Sequence, residues 1–253
     1  IYFSPEYGRA CEYSDNAIWE CCIYKDLMYI YLKIEMKTDT TFYKLITPYG
    51  YSGYYFKKLE TYNEFILKFQ KESIKKNYIV EILRQNPYIN TLKADYKKNY
   101  KLLLSKSLYS IQYDNFLDYY TFIHKSARNK YKKALTLGFI FDYIPCSNSN
   151  LMNNFIKLYE FTMNKLNAKE YYYFSKKYFE ELFKLKYTKL AIVNYKQNII
   201  GISILFEYKN YIHYHLSCND KSFNCITDFM LLSIIKKMGP KKQFFLGCGL
   251  KKD

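Results

Sequence analysis

The chain has 253 residues, 49% hydrophobic and 25% charged, and its 39 Lys and Arg against 23 Asp and Glu give a net charge of +16. This balance excludes a disordered or fibrous chain and leaves room for one large domain or two of ordinary size. No apolar run approaches the roughly 18 residues of a membrane span and no basic-then-apolar leader opens the sequence, so a cytoplasmic location is expected, extending at most to peripheral association at the inner face of a membrane.

The opening "IYFSPEY" reads as mid-pattern, and an upstream piece is expected. Three strand-like runs follow, "IWECCIYKD" (18–26), "LMYIYLKIEM" (27–36) and "FYKLITPYG" (42–50), rich in β-branched and aromatic residues. An amphipathic helix "FKKLETYNEFILKFQKES" (56–73) and a strand "NYIVEILRQNP" (77–87), closed by proline, complete the first half. A long basic helix is expected over 115–138, ended by Gly138, with a strand "FIFDYI" (139–144) behind it. Helices at 154–166 and 175–185 lead to the meander "TKLAIVNY" (188–195), "IIGISILFE" (199–207) and "YIHYHLSCN" (211–219). A helix "ITDFMLLSIIKKMGP" (226–240) with Gly239-Pro240 as its stop, and a short strand "QFFLGCG" (243–249), end the chain.

Each half therefore has the order βββαβ. Seven cysteines, at 11, 21, 22, 146, 218, 225 and 248, lack the spacing of a zinc clip or a disulfide framework and read as buried free thiols. The charge is uneven: residues 1–125 hold 18 basic against 14 acidic side chains, and residues 126–253 hold 21 against 9. An excess of +12 in one half suggests an anionic partner there, although lysines that merely solvate helix faces would give the same count.

Helix-helix-βββ-α-β is the order of the GNAT acyltransferase core. With two such cores, the chain resembles the FemAB-like peptidoglycan bridge-forming aminoacyltransferases. The residues that carry the resemblance are "TPYGYSG" (47–53), "SARNKYKKALTLGFIF" (126–141), "LYEFTMNKLNAKEYYYFSKKYF" (158–179), "YHLSCND" (214–220) and "FFLGCG" (244–249). The fold this implies is α+β, with tandem GNAT-like lobes, each a mainly antiparallel βββαβ core flanked by helices. The first lobe with the connecting helix is expected over 1–145 and the second over 146–253, truncated at its C-terminus because GNAT cores carry further strands after the fifth.

What the resemblance implies about function is amide formation between an activated aminoacyl donor, aminoacyl-tRNA, and an amine of an anionic cell-wall (peptidoglycan) precursor, with no cofactor and no metal required. A CoA-dependent N-acyltransferase acting on an amino sugar of a surface polysaccharide is the alternative, with acyl-CoA as donor; a non-enzymatic RNA-binding module is the second. CoA users grip the pyrophosphate with a basic residue followed by glycines, whereas "DKSFNCIT" (220–227) has no glycine.

Such chemistry asks the protein to orient two substrates, manage a proton and stabilise an oxyanion. Strand alternation in "IHYHLSCN" puts His213, His215 and Ser217 on one face and Tyr214 and Leu216 on the other. His215, Ser217 and Tyr214 are the catalytic candidates, against the plain reading of a structural histidine on a sheet face. Spaced i,i+2, His213 and His215 lack further ligands that would make a metal site. For substrate binding the candidates are Thr47, Tyr49, Gly50, Tyr51 and Gly53, where glycines would let backbone approach a ligand, together with Lys165 and Tyr172. Donor phosphates are assigned to Arg128, Lys132, Asn219 and Lys221, the last two on the turn that opens the helix at 226.

Overall fold

The computed structural model describes residues 1–37, 39–85, 98–101, 103, 107–146 and 149–247, which form two compact units, 1–105 and 106–253. Cys248, Gly249 and the closing Pro87 lie outside the described residues.

The first unit opens with helix α1 (Pro5–Asp15), capped by Ser4, whose hydroxyl accepts from Tyr7 N, and ended by Asn16 in the left-handed region. Strands β1 (Ile18–Tyr24), β2 (Leu27–Lys37) and β3 (Thr41–Ile46) form an antiparallel meander. The chain returns to β2 as β4 (Tyr54–Tyr55), then runs through α2 (Leu59–Lys75) to β5 (Tyr78–Ile82), which lies parallel to β3. Tyr29, Tyr31, Tyr54 and Tyr62 are fully buried with Leu27, Leu45 and Phe65, so in this unit tyrosine is core material. Inside that core the phenols of Tyr29, Tyr54 and Tyr100 all donate to the Glu81 carboxylate.

The second unit is built on a six-stranded sheet in the order β6-β11-β10-β9-β8-β7. Its elements are β6 (Tyr109–Ile111), α3 (Phe116–Phe122), α4 (Lys125–Leu137), β7 (Ile140–Pro145), α5 (Ser149–Lys165), α6 (Lys176–Lys184), β8 (Thr188–Tyr195), β9 (Asn198–Tyr208), β10 (Tyr211–Asn219), α7 (Ile226–Met238) and β11 (Gln243–Gly247). One face of the sheet carries α7 and α4, packed through Tyr131 stacked on Phe229 at 5.4 Å. On the other, α5 and α6 meet through Phe155 and Phe179.

The βββαβ order holds in both units, with the short β4 added before α2 in the first, and two expectations change. The basic segment 115–138 is two helices, not one: His124 takes extended backbone and its Nδ1 accepts from Ser126 N, starting α4 afresh. The division falls after residue 105 instead of 145, because β7 pairs with β8 and α4 packs on α7, which commits 106–145 to the second unit. On its side away from β10, β11 pairs with β6, Phe244 with Ile111 and Phe245 with Ser110.

Candidate functional site

Both units contain a strand, a helix and a parallel strand, but the two differ at the strand ends. In the first, β3 and β5 stay joined beyond Ile46 and Ile82: Thr47 N donates to Ile82 O, Thr47 Oγ1 accepts from Arg84 N at 3.0 Å, and Ser52 bridges Gln85. In the second, β10 and β11 pair only from Tyr211 to His213, while β10 continues to Asn219. Beyond His213 the β10 edge has no β11 partner among the described residues, and near its end Asn219 N donates instead to Thr162 Oγ1 of α5 at 3.1 Å.

A bulge falls at that point. Tyr214 pairs with Leu205 and Leu216 with Ile204, so one extra residue, His215, is inserted on β10. This overturns the simple alternation. Tyr214 and Ser217 come to the same face, where both lie within hydrogen-bond reach of Ser203 Oγ at 3.3 and 2.8 Å. His215 goes to the opposite face, 8% exposed, stacked on Phe206 with centroids 4.3 Å apart and its Nε2 2.9 Å from the Tyr178 phenol. Burial holds His215 well below the ordinary histidine range, and burial lowers His213 to about 4. A neutral imidazole enclosed by α6 favours packing over the role of a base. Burial likewise raises the Tyr214 phenol, which stays protonated at neutral pH.

The turn from β10 to α7 closes on itself. Asn219 is buried, receives Thr162 Oγ1 on its carbonyl, and accepts Lys221 N on its own Oδ1 at 3.1 Å; Asp220 accepts from Ser222 N at 2.8 Å. Asn219 thus shapes the turn, and Lys221 stands exposed on it. Helix α7 begins at Cys225 with no side-chain cap, which leaves its first N–H groups available to an anion. Lys130 of α4 reaches this end, 3.0 Å from Asp228 in the first turn of α7.

The other candidates are more dispersed. Arg128 spends Nη1 on the carbonyls of Thr121 and Ile123, capping the end of α3, whereas Lys132 is exposed on α4. Lys165 is exposed and lies 4.9 Å over the Phe161 ring. Tyr172, in a short 3-10 turn, accepts the Tyr159 phenol on its carbonyl at 2.9 Å, and its ring lies tilted against Tyr171. In the first unit the close approach expected at Gly50 is made by the protein itself: a Cβ there would lie 2.3 Å from the Tyr2 ring, at φ +105°. Gly53 is closed in the same way by Gln85, Tyr49 gives its carbonyl to the Tyr7 phenol, and Tyr51 packs edge-on to Tyr2. The TPYGYSG segment is a tied turn whose rings pack against the chain's own aromatics.

Sequence reasoning missed Ser203 and Tyr178. Ser203 had a visible signal: it is the one hydroxyl within the apolar run "IIGISILF", and a buried hydroxyl needs a partner.

No protein-family description and no curated protein matches the sequence. Solved structures do. FemX aligns over 98% of this chain and 83% of its own, at 11% identity and TM-score 0.65. L-PGS from Bacillus licheniformis aligns over 97% and 75%, at 14% identity and TM-score 0.65. The C-terminal domain of an Agrobacterium fabrum protein described as a lysylphosphatidylglycerol synthetase aligns over 97% and 73%, at 11% identity and TM-score 0.65. At these identities the likeness establishes the fold, an α+β chain with GNAT-like cores in tandem, and leaves function to the site.

Proposed function

We propose that this protein is an acyltransferase that forms an amide between an activated aminoacyl donor, aminoacyl-tRNA, and an amine of a cell-wall precursor. The observation that carries the reading is the parting of β10 from β11 after His213, beside an uncapped helix N-terminus. An acyl group lying along the stretch of β10 that β11 does not pair would have backbone at hand for its carbonyl oxygen, and an anionic carrier would meet the α7 terminus, Lys221 and Lys130. Positioning supplies most of the rate in such a reaction, because amine attack on an activated carbonyl needs little covalent help.

The donor reading rests on the same end of the sheet. No glycine occurs in 220–227, and Lys221 N and Ser222 N are already spent on Asn219 Oδ1 and Asp220 Oδ1, so the turn ahead of α7 adds no backbone donors to those of the helix terminus. A carrier with many phosphates spread along a basic surface suits the charge of residues 126–253 better than CoA does.

For the acceptor, a lipid competes with the cell-wall precursor, because one structural neighbour is described as a lysylphosphatidylglycerol synthetase. The test is a transfer assay with a pool of tRNA charged with radiolabelled amino acids, against UDP-linked muropeptide, phosphatidylglycerol vesicles and an amino-sugar polysaccharide, with acetyl-CoA as the competing donor. Label in the muropeptide that depends on tRNA is the expected result. Label in the lipid alone would replace the acceptor, and robust tRNA-independent transfer from acetyl-CoA would replace the donor.

A further inference from the structure

Tyr29, Tyr54, Glu81 and Tyr100 come from four separate stretches of the first unit and bring their polar groups to one point in its core. Pairing of β2 with β4 sets Tyr29 opposite Tyr54, their rings 4.2 Å apart and neither exposed. Glu81 Oε1 lies 2.5 Å from the Tyr29 phenol and 2.9 Å from that of Tyr54, and Oε2 lies 2.8 Å from that of Tyr100. The phenol oxygens of Tyr54 and Tyr100 are themselves 2.6 Å apart.

Each of these contacts is short enough to need a hydrogen between its two oxygens, and a phenol carries only one. Four contacts need four protons, and the phenols hold three. With the carboxyl ionised, all three phenols can donate to it, and Tyr54 and Tyr100 are left with two oxygens facing each other and no hydrogen between them. A proton on Oε2 completes the set: Oε2–H donates to Tyr100, Tyr100 donates to Tyr54, and Tyr54 and Tyr29 both donate to Oε1. The first three of these bonds close a ring in which each polarises the next. The surroundings favour the neutral acid as well. Leu45 faces it from β3 and Tyr62, Phe65 and Phe69 from α2, with Tyr31 on β2 as the further phenol beside Tyr29. Among the described residues no lysine or arginine acts on the carboxyl, while Lys98 and Lys101, which flank Tyr100, stand exposed.

We infer that Glu81 is a neutral acid in the folded protein and that its proton is a latch on Tyr100, closed while Oε2 is protonated and opened when it ionises. On ionisation the proton leaves for solvent, three protons remain for four contacts, and one pair of oxygens must part. Tyr29 and Tyr54 are fixed by strand pairing and by packing on Phe65, and Glu81 sits on β5, which is paired with β3. Tyr100, half-buried and off any strand, is the member that gives, and residues 98–101 move with it. The latch is therefore closed below the folded pKa of Glu81 and opens as pH rises through it. Nothing in it depends on the acyltransferase chemistry.

The test follows wild type and Glu81→Gln, as full chains, from pH 6 to pH 9. Glutamine places an amide N–H where Oε2–H stood and keeps an acceptor at Oε1, so the ring stays closed at every pH. The infrared difference between the two proteins at pH 6, where an ordinary glutamate is ionised, should contain a carboxylic-acid C=O stretch that fades toward pH 9. Hydroxyl-radical labelling of Tyr100, read by mass spectrometry against Tyr109, which is 55% exposed, should rise several-fold over the same interval in wild type and stay flat in the variant. Trp19 fluorescence should remain native throughout. A carboxylate already present at pH 6 would overturn the inference, as would a flat Tyr100 ratio while the acid band fades, or an equal rise in both proteins. A rise that comes only with loss of the native Trp19 signal would also overturn it, leaving the cluster as a stabiliser of the fold. Should Glu81→Gln not fold, wild type labelled with ¹³C-glutamate decides alone, since the acid band and the Tyr100 ratio must change over one pH interval.

Discussion

The phenol oxygen of Tyr178 lies 2.9 Å from Nε2 of His215, a bond from α6 to the middle of β10 that is buried at both ends. It ties the helix to the bulged residue. With His213 lowered to about 4 and His215 also held low by burial, both histidines are neutral in the folded protein at neutral pH.

Stability of the second unit should therefore fall in acid. Both folded values lie below the ordinary 6.5, so between them the unfolded chain binds protons that the native one does not. The contribution is complete above about pH 6.5 and is lost as pH falls, at ~1.4 kcal/mol per histidine per pH unit. Hydrogen exchange of peptides covering β10, compared from pH 7 to 5 after correction for intrinsic rates, measures this. A His213→Phe, His215→Phe variant should flatten the trend, and a wild-type profile that is already flat would count against neutral native histidines.

The first unit should show the opposite sign. Burial raises Glu81 above its ordinary range despite its three phenol donors, so the folded state holds a proton that the unfolded state has released. Stability there should decline as pH rises from about the unfolded value through the folded one. Trp19 is the only tryptophan and lies in this unit, so its fluorescence during urea unfolding reports the unit alone. Glu81→Gln should remove the decline. Glu81→Leu, which strands several buried phenols, should cost about 2–3 kcal/mol, against about 1 kcal/mol for Tyr100→Phe.

Much of this was legible in the chain, and the failures share a cause. Strands β1, β2, β8, β9 and β10 are long and apolar enough for residue type alone to find them, and Gly239 marks the end of α7 correctly. Reading faces from a strict period of two fails at β10 because one inserted residue reverses every later side chain, and nothing in "YIHYHLSCN" announces the insertion. Strand β6 is three residues long and exists only because β11 pairs with it, which is tertiary information. The break at Ile123 has neither Gly nor Pro to mark it; Arg128, from the next helix, supplies the cap. At TPYGYSG the close approach expected for a ligand is made at Gly50 by Tyr2, 48 positions upstream, which no local pattern announces.

Gly50 should consequently behave as a folding position. A side chain there meets the Tyr2 ring and must adopt φ near +105°. Gly50→Ala should lower stability by about 1–3 kcal/mol, seen in Trp19-monitored unfolding. Turnover per folded molecule should hold steady; a selective loss of acceptor binding with unchanged stability would restore the ligand-contact reading of this turn.

Lysines on α4 and the β10–α7 turn give the sharpest test of the donor. Lys130 is paired with Asp228, so its reversal would place two carboxylates together at the start of α7 and confound structure with binding. Lys132 and Lys133 are exposed on α4, and Lys221 is exposed on the turn, so their reversal to glutamate leaves known bonds of their side chains intact. If charged tRNA is the donor, affinity should fall steeply with salt, and each lost phosphate contact should reduce the log–log slope by about 0.7–0.9. The triple variant Lys132→Glu, Lys133→Glu, Lys221→Glu should then weaken tRNA binding by orders of magnitude while muropeptide binding changes little. Acetyl-CoA presents few charges and would give a shallow slope. A triple variant that binds tRNA with the wild-type slope would mean that these lysines only solvate their helix, and the phosphate surface would have to be sought elsewhere on the chain.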